Sequence, residues 1–326
     1  MLNNNLISNI KTKILNLTTK TSEKPKIVLG LSGGADSTFL FYILKELHHE
    51  DKINLIAAHL NHGWRDEAII DETFCKNLCL TNKIEVIIAN ANEFTIKIKQ
   101  NGSKEEYGRK LRRYFLNEVL KNNSADYIAL AHHQQDQQET FFWRIIRGST
   151  LNGLTCMKES EGNLIRPLLN LSKNEILTFL KKNNLKFIED ESNFSEAFLR
   201  NRIRKHVIPA MNKCDSRFEK KLNDTIKMLQ EEEAFLDHLT LEQFEKTFKK
   251  ENNKLIGNLN YFKALNPVLQ KRLIIKWLCS ENVKFQISNN YLNEILNFLY
   301  SKEGGTHQIN QSWNIVKKQK QFWINF

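Results

Sequence analysis

The chain has 326 residues, enough for two domains at about 150 residues each, and its 41% apolar and 10% aromatic content suits sizeable packed cores. A formal net charge of +11 points to an anionic polymer partner, nucleic acid above all, although AT-rich coding also inflates Lys and Asn. The five cysteines, Cys75, Cys79, Cys156, Cys214 and Cys279, form no C-x-x-C pair, which argues against a disulfide framework, a zinc ribbon or an iron–sulfur site; with no run of about 18 apolar residues and no leader-like start, a cytoplasmic location without a membrane partner is expected.

Residues 1–20 read as a helix, with Leu6, Ile10, Ile14 and Leu17 at helical spacing. The run from Lys26 to Gly30 reads as a buried strand. It leads into Ser32-Gly33-Gly34-Ala35-Asp36-Ser37 and then a helix carrying Phe39, Leu40, Ile43, Leu44 and Leu47. Strand, glycine turn and helix make an anion site, because glycine lets the backbone approach closely and the helix start offers unpaired N–H groups. No G-x-x-x-x-G-K-S/T sequence occurs, so the loop is not a Walker P-loop.

A second strand, Ile53–His59, ends in Leu60-Asn61-His62-Gly63-Trp64-Arg65. A helix follows from about Asp66 to Leu80, a third strand at Ile84–Ala89, and a helix from about Ser103 to Lys121. The fourth strand, Tyr127–Ala131, feeds His132-His133 and a helix to about Ile146, whose Phe141, Phe142, Ile145 and Ile146 can pack on the sheet. This alternation predicts an α/β fold with a doubly wound parallel sheet, in which ligands bind beyond the strands' carboxyl ends. Ser32, His59 and His132 each follow such an end.

After a polar stretch to Asn163 come Arg166-Pro167-Leu168-Leu169, a helix at 173–183, Asp190-Glu-Ser-Asn193 and Arg200-Asn-Arg202-Ile-Arg204. Pro209 is taken as the boundary between a catalytic domain, 1–209, and a second, smaller, mainly helical domain, 210–326. The latter has helices at about 215–248, 267–280 and 289–300 and short strands after Gly304-Gly305. Glu231-Glu232-Glu233 reads as a solvated helix face.

Asp136 and Glu139 are i,i+3 and share a helix face. Such a pair can hold Mg²⁺, bind an ammonium group, or stand in solvent. His59-x-x-His62 with His132-His133 also permits a histidine-rich zinc site, though no accompanying cysteine or carboxylate pattern supports one.

Ser32-Gly-Gly-x-Asp-Ser37 resembles the SGGxDS signature of the PP-loop ATP pyrophosphatases, which split ATP between the α and β phosphates. His59-x-x-His62-x-x-Arg65 resembles the HxNHxxR segment of the tRNA(Ile)-lysidine synthetase family, and Ala131–Thr140 its AHHxDDQxET segment. Arg109-x-x-Arg112, Arg147-Gly-Ser149, Arg166-Pro-Leu-Leu169, Asp190-x-Ser-Asn193 and Arg200-Asn-Arg-x-Arg204 match further blocks in the family's order, over residues 26–209.

The resemblance implies an adenine-nucleotide α-hydrolase-like fold and a ligase using ATP and Mg²⁺. It would adenylate the C2 oxygen of the wobble cytidine in a minor isoleucine tRNA with a CAU anticodon. Free L-lysine would then displace AMP, giving lysidine and moving decoding from AUG to AUA. ATP is expected on Ser32, Gly33, Gly34, Ala35, Asp36, Ser37, His59 and Arg65. Asp36 is expected to act through the metal, since a carboxylate and bare phosphate repel. Arg112, Asp136 and Glu139 are expected to bind lysine, and Asp36, His132, His133 and Asp136 to be catalytic; nothing in the sequence selects which histidine takes the ε-amine's proton.

RNA contacts are expected from Arg200, Arg202, Arg204 and Lys205 with Arg144, Arg147 and Lys158, unless that segment is a salt-bridge hub or a solvated helix end. Lys249-Lys250, Lys254 and Lys271-Arg272 are expected to grip the tRNA stem. The resemblance leaves room for a homodimer, and a further C-terminal module of some members is expected to be absent or removed.

Two positions depart from the pattern. Gln135 stands where the family has the first of two aspartates and is expected to be peripheral. Arg113 stands where tyrosine is common, with Tyr114 one position late. Competing readings are a thiolating PP-loop enzyme, an NAD- or GMP-synthetase-like amidase, and a non-catalytic RNA-binding protein, the last favoured only by Gln135.

Overall fold

The computed structural model describes residues 2–19, 23–63, 68–94, 104–189, 196, 198–251, 254–286 and 288–325. Arg65 and the Asp190–Asn193 block lie outside them. The chain divides into two compact units, Met1–Lys227 and Met228–Phe326.

In the first unit, α1 (Leu2–Thr18), β1 (Lys26–Gly30), α2 (Ala35–His49), β2 (Asn54–Asn61), α3 (Ala68–Thr81), β3 (Glu85–Asn90), α4 (Lys104–Asn122), β4 (Tyr127–Ala129) and α5 (Gln134–Arg147) alternate as the periodicity predicts. The sheet order is β3-β2-β1-β4-β6-β5, with β6 (Leu164–Ile165) parallel to β4 and β5 (Ser160–Glu161) antiparallel to β6. β1 lies under helices on both faces. Ile27 and Leu29 join a core with Ile10, Ile14, Phe39, Ile43 and Leu44, whereas Val28 joins Leu111, Phe115 and Leu116 of α4 on the other face. That explains the continuous apolar run, since a strand covered on both sides needs no polar alternation.

The chain leaves β1 toward β2 on one side and returns at β4 on the other. The crevice beyond the carboxyl ends of β1 and β4 is therefore the topological switch point, where such sheets bind ligands. α6 (Leu151–Leu154), β5 and β6 occupy the stretch read as polar and irregular. They are too short for periodicity to detect. α7 (Lys173–Lys182), α8 (Leu199–Arg202), a π-helical turn (Ile203–Val207) and α9 (Ile208–Cys214) follow. Pro209 follows directly on the π-helical turn within a run that is helical from Leu199 to Cys214, a place where a residue with no N–H interrupts the helical bonding. Ile145 and Ile146 are exposed, contrary to the expected packing on the sheet. Phe141 and Phe142 pack instead with Cys156, Phe218, Leu222 and Ile226.

α10 (Phe218–Thr247) runs across the division between the units. In the second unit come β7 (Phe248–Glu251), β8 (Lys254–Asn258), α11 (Leu259–Ala264), α12 (Pro267–Ser280), α13 (Asn289–Tyr300), β9 (Gly305–Gln308), β10 (Asn314–Lys318) and β11 (Gln321–Asn325). The strands form an antiparallel sheet, β7-β8-β11-β10-β9, over a core holding Phe262, Trp277 and Phe322. The β7–β8 hairpin falls where the sequence reading ended a helix. Only Phe248 of β7 is buried, so this edge strand lacks the two-residue alternation that marks a strand. Glu233, expected in solvent, is 1% exposed and bonded to Arg272 at 2.8 and 3.0 Å. Arg272, expected among the RNA contacts, is thereby committed within this unit. No described helix is long and apolar enough to cross a membrane.

Candidate active site

The loop after β1 is braced by its own serines. Ser37 Oγ accepts the Ser32 N–H at 3.1 Å, donates to Gly34 O at 3.1 Å, and lies 3.0 Å from Ser32 Oγ. Gly33 has φ +85°, and a Cβ there would lie 3.0 Å from Ile188 Cδ1 and 3.3 Å from Cys75 Sγ. Both the backbone and the space require glycine. Ile188 N–H donates to Gly33 O at 2.9 Å, so the segment after α7 supports the loop from beneath. Gly34 is the N-cap of α2 and supplies no side-chain cap. The first N–H groups of α2, from Ala35, Asp36 and Ser37, thus carry the helix's positive end toward a ligand.

The loop after β4 meets this one because β4 pairs directly with β1. His133 caps α5. Its Nδ1 accepts the Gln135 N–H at 3.2 Å, and Asp136 Oδ2 accepts the His133 N–H at 2.8 Å. With Nδ1 accepting, the neutral ring carries its proton on Nε2. That atom lies 3.6 Å from both Asp36 Oδ2 and Asp136 Oδ2. Two carboxylates from neighbouring strand ends therefore face one imidazole. Burial would raise the Asp136 carboxyl, but His133, His132 and the His133 amide outweigh it and hold it below the usual carboxylate range. Burial, opposed by Asp136 and reinforced by Arg166, Arg109 and Arg200, lowers His132 to about 4. His132 is thus neutral at pH 7, and its Nδ1 is buried with no hydrogen-bond partner among the described residues.

Two cations enter the site that sequence spacing did not place there. Lys173 Nζ bonds both oxygens of Asp36, at 2.7 and 2.8 Å. Arg204 Nε bonds Glu139 Oε1 at 2.5 Å. Arg204, expected among the RNA contacts, is thus paired inside the site. Glu139, expected to meet a lysine ammonium, is 3% exposed and already matched by that arginine. Burial raises its carboxyl, with Arg204 opposing.

Gln135 is bonded on both ends. Its Oε1 accepts the Lys173 N–H at 2.9 Å and its Nε2 donates to Glu219 Oε2 at 3.1 Å. The position thereby joins α5, α7 and α10.

His59 lies within β2, is 4% exposed, and its Nδ1 donates to Leu31 O at 2.9 Å beneath the loop. Its Nε2 is buried without a partner among the described residues, and burial lowers its pKa. His62 pairs instead with Arg112, whose Nη2 is 3.4 Å from His62 Nε2. Burial, then Arg112 and His59, lower His62 to about 4. The four histidines do not converge, and among the described residues no group of three or more His, Cys, Asp or Glu could hold a metal ion. Tyr114, beside Arg113, packs edge-on against Phe94 at 5.9 Å between ring centroids.

Outside the crevice, Arg147 lies 4.3 Å over the Trp143 ring and Arg200 6.0 Å from it. Arg202 donates to Glu196 O at 2.9 Å and Lys205 pairs with Glu196 at 3.4 Å. Cys75, Cys79 and Cys156 are buried. Burial pushes the thiols up, to about 12 for Cys79 and Cys156.

A braced glycine loop on an uncapped helix start, with acids from the next strand end, defines a nucleotide-handling α/β domain. The PP-loop domain family matches residues 6–211, and the chain belongs to that family. Within it, the chain is 33% identical over 288 residues to the tRNA(Ile)-lysidine synthase of Bacillus cereus, covering 83% of this chain and 59% of that protein. It is 32% identical over 300 residues to that of Bacillus subtilis, covering 89% and 63%. The chain spans about three fifths of the length of the curated relatives it matches. Among solved structures, the U34-tRNA thiolase NcsA from Methanococcus maripaludis, described with its 4Fe–4S cluster, shares the fold. Its TM-score is 0.57 at 22% identity, covering 69% of this chain and 80% of that one.

Proposed function

We propose that this chain ligates lysine to C2 of the wobble cytidine of the CAU-anticodon isoleucine tRNA. The products are lysidine, AMP and diphosphate, and decoding moves from AUG to AUA. The observation that carries this reading is the placement of Asp36 and Asp136, each 3.6 Å from His133 Nε2, beside an uncapped helix start. An anion cradle adjoining an acid pair suits adenylation followed by attack of an amine. The names of the curated relatives point the same way.

ATP lies with its phosphates over the first turn of α2, with His59 and Arg65 completing its site. Mg²⁺ fits Asp36, because this ion is usually held by one or two carboxylates together with substrate phosphates; when bound it offsets the charge of the departing diphosphate. Asp136 receives an ammonium of lysine and Arg112 its carboxylate. Glu139 acts by anchoring Arg204. His133 faces both aspartates, and neutral His132, its buried Nδ1 unpaired among the described residues, is the imidazole that can receive a proton. The cytidine O2 bonds to the α-phosphorus as diphosphate leaves. The amine nitrogen then bonds to C2 as AMP leaves and one proton is released.

We assign this chemistry to residues 1–209 and the RNA grip to 210–326, aided by Arg200, Arg202, Lys205 and the arginine-flanked Trp143. A cytoplasmic location agrees with these substrates. Sulfur transfer through Cys75, Cys79 or Cys156 is disfavoured because these buried thiols stay protonated. The test is incubation of the chain with ATP, Mg²⁺, labelled lysine and a CAU-anticodon isoleucine tRNA transcript. Label incorporated with AMP release is expected; tRNA binding without incorporation overturns the reading in favour of a non-catalytic RNA binder.

A further inference from the structure

We propose that Lys173 is a catalytic residue that transfers its ammonium from Asp36 to the diphosphate portion of ATP. It would thereby supply the cation that the loop, lacking a Walker lysine, does not carry itself. This deepens the ATP reading above and rests on it. Lys173 is the first residue of α7, behind a capping box in which Ser172 Oγ accepts the Glu175 N–H and Glu175 returns to Ser172 N–H. A cation there faces the positive end of its own helix, an unfavourable place unless an anion compensates. In the free protein the compensating anion is Asp36, held through both carboxylate oxygens.

Asp36 itself lies in the first turn of α2, where the phosphates are drawn. The Lys173 side chain is 37% and that of Asp36 29% exposed, so a ligand reaches the pair without unfolding anything. The stem is fixed at its root: Gln135 Oε1 holds the Lys173 N–H at 2.9 Å, and α7 packs on α2 through Phe179 against Phe39 at 5.1 Å. The backbone is anchored while the four-carbon stem stays able to turn. When diphosphate leaves the α-phosphorus with the bonding electron pair, negative charge grows next to this ammonium. A lysine released from Asp36 also frees that carboxylate at the moment the phosphates arrive.

Pyrophosphate binding needs neither RNA nor lysine, so it separates this proposal from the ligase reading. Calorimetric titration of pyrophosphate into the full chain is compared with Lys173→Met, Lys173→Arg, Asp36→Asn and the Asp36→Asn/Lys173→Met double variant. Lys173→Met is expected to weaken pyrophosphate about tenfold or more, the size of one lost charge-assisted contact. Lys173→Arg should retain most of the affinity. The decisive comparison is made in the Asp36→Asn background. A similar further loss there supports direct contact, whereas a loss that vanishes means Lys173 merely masks Asp36, and the proposal falls.

Unchanged melting temperatures keep these results from reflecting misfolding. In turnover assays Lys173→Met should lower kcat for AMP release while the KM for lysine stays within about twofold, since uniform and transition-state contacts separate this way. A change confined to the lysine KM overturns the proposal. A wild-type chain that binds neither ATP nor pyrophosphate overturns the ATP reading and Lys173's role together. A Lys173→Met loss of pyrophosphate affinity in both backgrounds, with no lysidine formed by the wild-type chain, supports Lys173's role and refutes the ligase reading.

Discussion

Each compact unit holds a lysine at a helix end, and the two are treated in opposite ways. Lys317, in the C-terminal unit, is 3% exposed, and its Nζ donates to Phe298 O at 2.8 Å, Ser301 O at 3.0 Å and Ser301 Oγ at 2.5 Å. These are the carbonyl end of α13, where a helix favours a cation. All three ammonium protons are used. Lys173 sits at the amino end of α7, where the helix disfavours it, and leans on a single, partly exposed carboxylate.

The surroundings repeat the contrast. Arg272 is bonded to Glu233, Asp237 and Thr240, and the Gln270 side-chain amide reaches Phe262 O, Leu265 O and Tyr300 Oη. Trp277 Nε1 and Tyr291 Oη are the unpaired exceptions there among the described residues. In the first unit, His59 Nε2 and His132 Nδ1 at the site, and Tyr127 Oη, both Gln138 amide atoms, Arg166 Nε and Asn223 Nδ2 elsewhere, are buried and unpaired among the described residues, and α2 begins without a side-chain cap. Groups that serve only the fold tend to saturate their hydrogen bonds. Groups left open, or set against a helix field, mark where a ligand completes the structure.

The sharpest way to break that contrast is to remove the anion at the loop. Asp36→Ala is expected to lower AMP formation about 1,000-fold, the upper range for losing one electrostatic element of a preorganised site. RNA binding, measured by filter retention, should stay within about twofold, because phosphate contacts elsewhere carry it. Turnover near the wild-type rate would remove Asp36 from the chemistry. Asp136→Ala should raise the KM for lysine about tenfold, roughly one lost charge-assisted contact, and leave the KM for ATP nearly unchanged. Equal rises in both would move Asp136 to the nucleotide.

Lys317→Met tests the other side. It leaves the carbonyls of Phe298 and Ser301 buried without this donor, at a cost of about 2 kcal/mol, read as a lower urea midpoint. The rate of AMP release should not change under conditions where the variant is folded. A loss of activity matching that of Lys173→Met, without loss of stability, would erase the distinction between the two lysines.

Sequence reading reached the parts of this site whose geometry is local. The Ser32–Ser37 loop follows from one strand, one glycine turn and one helix. The placement of Asp136 on the helix after the fourth strand follows from that helix's start, though its bond to the His133 N–H was not read. Convergence of the two loops followed from alternating strands and helices, which bring β1 and β4 together. What stayed hidden are contacts between residues far apart in the chain. Lys173 is 137 positions from Asp36, and Arg204 is 65 from Glu139. The spacing placed a helix at 173–183 but could not tell which loop its first residue would face. The β7–β8 hairpin stayed hidden for a different reason, because an edge strand with one buried residue carries no alternation to read.

Gln135 joins both themes. From sequence alone it is a missing aspartate, and the single feature favouring a non-catalytic protein. In the structure its carbonyl oxygen accepts the Lys173 N–H and its amide donates to Glu219. An aspartate could accept the first bond but cannot donate the second, and its charge would stand against Glu219. Restoring the family residue should therefore cost stability. Gln135→Asp is expected to lower the unfolding free energy by about 1 kcal/mol, the scale of one exchanged hydrogen bond. Adding Glu219→Gln should recover much of it, because the partner then offers a donor and no charge. A double-mutant cycle measured by urea unfolding reads the coupling directly. Additive costs would mean that the two positions are not matched, and position 135 would become a candidate for direct contact with metal or substrate.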